Sequence, residues 1–368
     1  LLNGGDFDLG VLANREVSYG KSFNCPGTKE HCDRKCLIHT IQIEGKNFPF
    51  GGICNKYYNQ VHRISIDPVP YDFVEARQEL VFADTAAAKS PNGKKIGIPR
   101  SFYVNTLYPL YHTFFTDLGF EVILSEEIHH EGTQRVNSSF CFPALLAHGM
   151  LEDLKRKNCD YYFLPEVKEL SVVNSWSQAI GHQATCITIQ GEPYYMATAF
   201  REIRDRFLSP VLNWRMGWES MRDKFADMAL TIGCDREAAR AAYDAGVIKL
   251  KASFEARTEI GRKALAAVEN DPDSIGIVIF GRSYNAFSDD ANMGVPRKFA
   301  SRKIYCIPFD ALPFHNEHSM ENMTWANGQD LMRCARYIRK QPRLFGVFIT
   351  NFSCGPDSFI TGYFRDTM

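Results

Sequence analysis

The sequence predicts an α/β protein with two lobes, each built on parallel strands, a helical connector between the lobes and a small cysteine-rich metal module at the amino terminus. Two observations lead to the lobes. Short runs rich in Val, Ile and Phe alternate with segments of helical period, and a long helical stretch of mixed charge separates two such regions. A third observation, four closely spaced cysteines near the start of the chain, leads to the metal module. The predicted divisions are residues 1–70, 71–205, 206–270 and 271–368.

Length and charge exclude several classes of function. The chain has 368 residues and a net charge of -1, so it offers no electrostatic reason to expect a nucleic acid or a membrane surface as partner. No apolar run approaches about 18 residues, and a cytoplasmic location is therefore predicted. Because the chain begins with Leu1, we expect it to be part of a longer polypeptide.

The amino-terminal cysteines have the spacing C-x6-C-x3-C-x17-C, which is typical of a small four-thiolate metal site. The predicted ligands are Cys25, Cys32, Cys36 and Cys54. A metal here would hold together a segment too short to form its own core, and the spacing does not choose between zinc and an iron–sulfur cluster. A strand from Leu37 to Glu44 and a hairpin at Gly45 are predicted between the cysteines. Three histidines could replace a thiol: His31, His39 and His62.

The first lobe begins with a helix over residues 72–82, followed by a strand at 95–99, a helix at 103–118 and a strand at 120–124. Strand, helix and strand within about 30 residues predict a parallel crossover. Cys141 then precedes a predicted helix that carries Pro143 in its first turn, where the positive end of the helix dipole favours a thiolate.

The rest of the first lobe contains less specific signals. A strand at residues 160–164 ends in a loop with three charged residues, read either as a solvated loop or as part of a site: Glu166, Lys168 and Glu169. Cys186 precedes another helix, and its surroundings alone favour a buried, unreactive thiol. Residues 200–270 have helical period and interleaved charges, with Gly233 and Gly246 predicted as interruptions, and should join the lobes.

The second lobe carries the most informative stretch. A buried strand is predicted at residues 344–349, and Cys354 lies on the Gly- and Pro-containing loop at its carboxyl end, where open α/β sheets bind ligands. Neither G-x-G-x-x-G nor a Walker sequence is present, so dinucleotide or ATP binding by this chain is not predicted. Cys306 and Cys334 are read as buried, whereas His315 and His318 are minor candidates for a ligand contact.

Several motifs together resemble a known family. They are Ser139-Phe-Cys141-Phe-Pro143, Ala147-His148-Gly149, Leu164-Pro-Glu166, Gly281-Arg282-Ser-Tyr-Asn285 and Thr350-Asn-Phe-Ser-Cys354-Gly-Pro-Asp-Ser358, with Cys32, Cys36 and Phe50-Gly-Gly-x-Cys54 at the amino terminus. This pattern resembles the 2-hydroxyacyl-CoA dehydratase activase-related family, which includes relatives of 2-hydroxyacyl-CoA dehydratases, benzoyl-CoA reductases and double-cubane-cluster reductases of anaerobic organisms. The resemblance covers nearly the whole chain.

The resemblance implies that Cys141, Cys186 and Cys354 ligate a cubane-type iron–sulfur cluster, of the 4Fe-4S or double-cubane kind, between two flavodoxin-like lobes. It also implies an activase ATPase partner, fused or separate, that carries its own iron–sulfur cluster and supplies electrons of low potential. The substrate would be a small molecule or an acyl-CoA, and a homodimer is the family expectation. On this interpretation the chain is an iron–sulfur oxidoreductase or dehydratase-like component that carries out single-electron transfer at an open iron.

The alternative is a non-catalytic zinc-binding scaffold or interaction domain of a larger activase protein. In that case the amino-terminal module would hold zinc, and Cys141, Cys186 and Cys354 would be buried thiols without a metal. Iron content after anaerobic purification distinguishes the two hypotheses. The sequence identifies neither the substrate nor the cluster type.

Overall fold

The chain has a mixed α/β architecture with several parallel sheets, which confirms the α/β class of the prediction. The computed structural model describes residues 10, 14–26, 35–52, 56–88, 90–136, 138, 141–351 and 353–368. Within these residues, no helix is both long enough and apolar enough to cross a membrane.

The amino-terminal module is a small antiparallel sheet followed by one helix. Its elements are β1 (Val17–Tyr19), β2 (Phe23–Asn24), β3 (Leu37–Ile43), β4 (Lys46–Phe50) and α1 (Lys56–Val61). Strand β3 is central and pairs with β1, β2 and β4. Glu44 and Gly45 both have positive φ, which is the backbone of a tight two-residue hairpin, so the turn predicted at Gly45 is confirmed.

Two of the four predicted amino-terminal ligands lie close together in this module. The Cys25 amide donates to the Cys36 carbonyl at 2.8 Å, and both residues belong to a small apolar cluster with Ile38 and Tyr57. Cys32 and Cys54, like His31, lie outside the described residues. His39 contacts Ser22 Oγ at 2.9 Å, and His62 packs on Tyr58. The four-thiolate site therefore stays a prediction.

The first lobe follows the predicted alternation of strands and helices. Its elements are α2 (Phe73–Val81), β5 (Lys95–Ile98), α3 (Val104–Asp117), β6 (Glu121–Leu124), α4 (His130–Thr133), α5 (Phe142–Arg156), β7 (Tyr161–Phe163), β8 (Glu166–Glu169), α6 (Ile187–Gln190), α7 (Glu192–Ala199), β9 (Phe207–Leu208) and β10 (Val211–Asn213). The main sheet is parallel, with the strand order β6-β5-β7-β9. The second strand along the chain, β6, lies at the sheet edge next to the first strand, β5, and flavodoxin-type sheets begin with the same order.

The segment predicted as a charged loop after β7 is instead a buried strand. Strand β8 pairs with β10 in parallel, and this pairing buries the carboxylates of Glu166 and Glu169. Glu169 accepts hydrogen bonds from the Gly181 amide at 2.8 Å and from Asn213 Nδ2 at 2.6 Å. The solvated-loop interpretation is wrong for these two acids, because donors from elsewhere in the chain satisfy them inside the fold, Asn213 for Glu169 and the Tyr194 hydroxyl for Glu166.

The connector consists of two helices, α8 (Arg222–Thr231) and α9 (Arg236–Asn270). Helix α9 is continuous over 35 residues. The interruption predicted at Gly246 does not occur, since this glycine serves packing: a Cβ there would lie 2.8 Å from the Leu110 carbonyl oxygen of α3. A Cβ at Gly261 would likewise lie 2.0 Å from the Ala311 carbonyl oxygen. The two glycines let α9 approach both lobes closely.

Replacing Gly261 with alanine should destabilise the protein by about 1–3 kcal/mol, because the added methyl group would overlap the Ala311 backbone. Helix propensity alone predicts the opposite sign, a gain of roughly 1 kcal/mol. Urea denaturation measures the difference, with Lys263→Ala on the exposed face of the same helix as the control. A Gly261→Ala protein as stable as the wild type would contradict the close approach.

The second lobe contains a three-stranded parallel sheet. Its elements are β11 (Gly276–Phe280), α10 (Ser283–Ala286), α11 (Asp289–Asn292), α12 (Val295–Ala300), β12 (Tyr305–Pro308), α13 (Ala326–Arg339), β13 (Leu344–Phe348) and α14 (Gly355–Thr367). The strand order is β12-β11-β13, again with the second strand outside the first. Phe280 pairs with Phe348, so the loops that follow β11 and β13 leave the sheet side by side.

Backbone bonds tie the lobes together next to one of the predicted cluster ligands. The Ala184 amide donates to the Thr324 carbonyl at 2.8 Å, and the Ala326 amide donates to the Ala184 carbonyl at 2.9 Å. Thr106 Oγ1 also donates to Ser283 Oγ at 2.9 Å. Cys186 follows Ala184 by two residues, so the first lobe presents this thiol at the boundary with the second.

Candidate functional site

Each of the three thiols that the resemblance assigns to a cluster caps the start of a helix. Cys141 precedes α5, Cys186 precedes α6 and Cys354 precedes α14, all with extended backbone at the cap. Pro143 and Pro356 occupy the first turns of α5 and α14, where a missing amide proton disturbs least. A helix start favours negative charge, so these positions suit sulfur atoms that must carry charge as metal ligands.

A glycine at the end of β11 brings the next residue beneath the Cys354 loop. Gly281 has φ of 136°, and a Cβ there would lie 2.5 Å from the Ile349 carbonyl oxygen, so both its backbone and its surroundings require glycine. The chain turns sharply at this point and directs Arg282 into the space under the loop that follows β13.

Arg282 is the centre of the site. Its guanidinium is almost completely buried, and Nη2 donates to Cys354 Sγ at 3.0 Å and to Asp357 Oδ2 at 2.7 Å. Nη1 donates to Tyr284 Oη at 3.1 Å. Thr350 Oγ1 donates to the same oxygen of Asp357 at 2.6 Å, and Asp357 is fully buried. One buried cation is thus bonded directly to a thiol and to a carboxylate.

The positive charge of Arg282 interacts electrostatically with all three thiols. Burial raises the pKa of Cys354 to about 11 and raises the pKa of Cys141, and in both cases the Arg282 guanidinium opposes the shift. Burial also works against the charged form of Arg282, but the anionic forms of Tyr284, Asp357, Cys354 and Cys186 outweigh it and raise its pKa well above the ordinary value. The three cysteines therefore lie in the field of one guanidinium.

The three cysteines differ from the ligand set of a single metal ion. In the part of the chain described by the structure, no group of three His, Cys, Asp or Glu side chains is arranged to hold a metal ion. A cubane differs from a single ion in that each thiolate binds a different iron, so its ligands need not converge on one point. Three cysteines without histidine or carboxylate ligands are the donor chemistry of an iron–sulfur cluster.

Two cavities border the cysteines from different sides. Cys141 lines a cavity of about 660 Å³ with Thr188, His148 and Tyr195. Cys186 lines a second cavity of about 710 Å³, whose wall includes Gly355 at the start of α14. The two cavities therefore border different cysteines of the candidate site.

The cavity beside Cys141 contains polar groups with definite roles. His148 Nδ1 lies 2.7 Å from the Ala144 carbonyl oxygen, so this nitrogen carries the proton and Nε2 is an acceptor. Burial lowers the pKa of His148, which keeps the ring neutral. Its ring stacks on Tyr195 at 5.3 Å, and the Tyr195 hydroxyl is buried without a hydrogen-bond partner among the described residues. An unsatisfied hydroxyl is a donor available to a bound group.

Sequence reasoning missed the group at the centre of the site. Arg282 and Asp357 belong to the sequence motifs given above, but the sequence does not predict a role for either residue. The available signal was an arginine directly after a strand and a glycine, a position from which a charged side chain must enter the crevice between the lobes. His315 and His318 lie elsewhere, and their carbonyl oxygens accept from Arg333 and Arg336 respectively.

Comparisons with known proteins give one finding. Neither the curated proteins nor the solved structures contain a match to the chain. A family model described as CoA enzyme activase uncharacterised domain (DUF2229) matches residues 95–312, more than half of the chain. This agrees with the resemblance to activase-related proteins that the motifs indicated, and it covers both sides of the connector. The chain belongs to the family of this CoA enzyme activase domain.

Proposed function

We propose that the chain is an iron–sulfur component of an ATP-dependent, low-potential reductase or dehydratase system for CoA substrates. In this proposal Cys141, Cys186 and Cys354 hold a cubane-type cluster between two flavodoxin-like lobes. The observation that carries it is the position of Arg282, whose charge acts on three cysteines that each begin a helix. The activase family assignment supports the same system.

Arg282 would offset the negative charge of the ligated thiolates. Burial disfavours ionised thiols, and the pKa of Cys354 near 11 means that this thiol keeps its proton at neutral pH unless a metal replaces it. A buried cation bonded to Cys354 Sγ reduces the penalty of forming the thiolate. The helix starts at α5, α6 and α14 act in the same direction.

When bound, the cluster would supply one-electron transfer to a substrate. The chain's own residues would control access and hydrogen bonding around it. The hydroxyl of Tyr195 would donate to a group bound in the cavity beside Cys141, and the neutral His148 ring would hold the tyrosine in place by stacking. Burial around Arg282 would exclude water.

The proposed partners follow from the family assignment. An activase ATPase, fused or separate and carrying its own iron–sulfur cluster, would deliver electrons, and a dehydratase-type reaction would act on an acyl-CoA or a related small molecule. The amino-terminal module would hold zinc or iron through Cys25, Cys32, Cys36 and Cys54. The close approach of Cys25 and Cys36 supports a metal there. Homodimerisation and a cytoplasmic location remain predictions.

Metal analysis of protein purified without oxygen tests the proposal. We expect about four iron and four sulfide per chain from the three-thiol site, and an EPR signal after reduction. Cys354→Ala should abolish that signal and most of the iron, while the matched control Cys234→Ala, at a half-buried thiol outside the site, should retain both.

Two results would contradict the proposal. One is wild-type protein without iron, and the other is a Cys354→Ala spectrum identical to that of the wild type. Colourless protein with about one zinc per chain would instead support the scaffold alternative, with the metal in the amino-terminal module. Loss of zinc in Cys25→Ala would then locate it.

A further inference from the structure

A third cavity, between the lobes, has no role in the proposed iron–sulfur chemistry. It measures about 420 Å³ and is lined by α9, by the start of α3 and by the segments around β12 and α13. Its volume lies within the range of small-molecule sites. Tyr103 forms part of its wall and packs edge-on against Tyr284, which bonds to Arg282. Tyr103 and Tyr284 thus connect the wall of this cavity to Arg282.

Two charged groups in this cavity are incompletely satisfied. Arg257 is 7 % exposed and Nη1 donates to Asp310 Oδ2 at 2.5 Å, yet its buried Nε has no partner in the described part of the chain. Asp330 Oδ1 is likewise buried without a hydrogen bond from any described residue, and its nearest cation is Arg333 Nη1 at 3.8 Å. Buried polar atoms without partners are rare unless a water or a ligand completes them.

The charges around Arg257 favour an anion. Asp310 is shared by two guanidinium groups, since Arg77 Nη2 also donates to it at 2.8 Å. Burial raises the pKa of Asp330 to about 7, so this acid is only partly ionised at neutral pH, and a further acid in the lining, Glu255, is exposed to solvent. The unsatisfied Nε of Arg257 is a charged donor, and such a donor suits a carboxylate oxygen.

The walls define the remainder of the ligand. Apolar and aromatic side chains line the cavity, including Leu107, Phe254 and Phe314. A ligand that meets Arg257 with a carboxylate could therefore lay an apolar body along these walls and place a hydroxyl at Asp330.

We propose that the cavity binds a small organic carboxylate with an apolar body and a hydrogen-bond donor. The carboxylate accepts from Arg257 Nε, and the donor bonds to Asp330 Oδ1. Because α9 and both lobes contribute to the walls, binding would stabilise their relative arrangement.

The probe for this site is 4-hydroxyphenylacetate, titrated into the purified full chain by calorimetry. We expect saturable binding of one molecule per chain. Two matched probes separate the contacts: phenylacetate lacks the donor, and 4-hydroxyphenylacetamide lacks the negative charge. Each should bind about tenfold more weakly or worse, the effect of losing a hydrogen bond to a charged group.

Variants connect the binding to the two residues. Arg257→Lys keeps a positive charge beside Asp310 but removes the Nε donor, and should weaken 4-hydroxyphenylacetate binding about tenfold. Asp330→Leu should weaken 4-hydroxyphenylacetate and leave phenylacetate unchanged. It leaves Arg333 satisfied, because that side chain donates to the carbonyl oxygens of Glu317, Val173 and His315. Arg262→Lys, at an exposed position on the same helix, is the control.

Absence of saturable binding would overturn the proposal, as would wild-type affinity in both variants. If Arg257→Lys fails to fold, Asp330→Leu and the two matched probes decide alone. Iron content has no bearing on these measurements, so failure of the carboxylate site and failure of the proposed cluster are distinguishable.

Discussion

Replacing Arg282 with glutamine should lower the free energy of unfolding by about 3–5 kcal/mol, because it leaves the carboxylate of Asp357 buried without its cation. Asp357 is 0 % exposed, and Arg282 and Thr350 donate to the same oxygen of its carboxylate. Glutamine is too short to restore the charge-assisted bond. Denaturation in urea under reducing conditions, with and without bound metal, measures the loss.

The double variant Arg282→Met with Asp357→Leu distinguishes the effect of an unpaired buried charge from the effect of lost side-chain packing. Replacing both members of a buried ion pair with apolar groups of similar volume is often nearly neutral, so the double variant should recover much of the stability. Arg262→Gln removes an exposed arginine whose ion pair with Glu259 lies at the surface, and it should change stability by less than about 1 kcal/mol. Equal losses of unfolding free energy in the Arg282→Gln and Arg262→Gln variants would show that the buried ion pair stabilises the protein no more than an exposed one.

The position of Arg282 illustrates which features the sequence alone does not predict. The alternation of strands and helices predicted the α/β class, because period and turn residues are local properties of the chain. The positions of Cys141 and Cys354 before helices were also predictable, since Pro143 and Pro356 mark the first turns. That Arg282 lies within bonding distance of Cys354 depends on β11 and β13 being neighbours in the sheet, which no local pattern encodes.

Glycines in the connector illustrate the same limit. In the sequence, Gly246 looked like a helix interruption, because glycine is a poor helix former. In the structure it is a contact point with α3, and tertiary packing outweighs the propensity. Glu166 and Glu169 show the same limit, because charge usually indicates solvent and the sequence left a solvated loop and a site role open. The donors that satisfy these acids come from distant parts of the chain.

Glu192 should make the protein less stable as the pH rises. Its carboxyl group at the start of α7 is 4 % exposed, and burial raises its pKa from 4.5 to about 8, although the Ser101 hydroxyl, which donates to Oε1 at 2.9 Å, opposes the shift. Below pH 4.5 the acid is protonated in both the folded and the unfolded chain. Between about pH 4.5 and 8 only the unfolded chain releases the proton, so unfolding becomes more favourable with each unit.

The full shift corresponds to roughly 5 kcal/mol between the two ends of this pH range. Glu192→Gln removes the titration while keeping an oxygen that can accept from Ser101, so its stability should change less with pH than that of the wild type. The two proteins should be similar near pH 4.5 and should differ by several kcal/mol at pH 8, with the variant more stable.

Urea denaturation at several pH values measures this difference directly. Other buried acids, among them Asp72 and Asp330, also titrate, but they are present in both proteins and cancel in the comparison. Glu121→Gln, on the exposed side of β6, is the control and should keep the wild-type slope. Parallel stability curves for Glu192→Gln and the wild type would mean that the carboxylate is ionised in the folded protein, and the packing around α7 would then have to admit water or a cation.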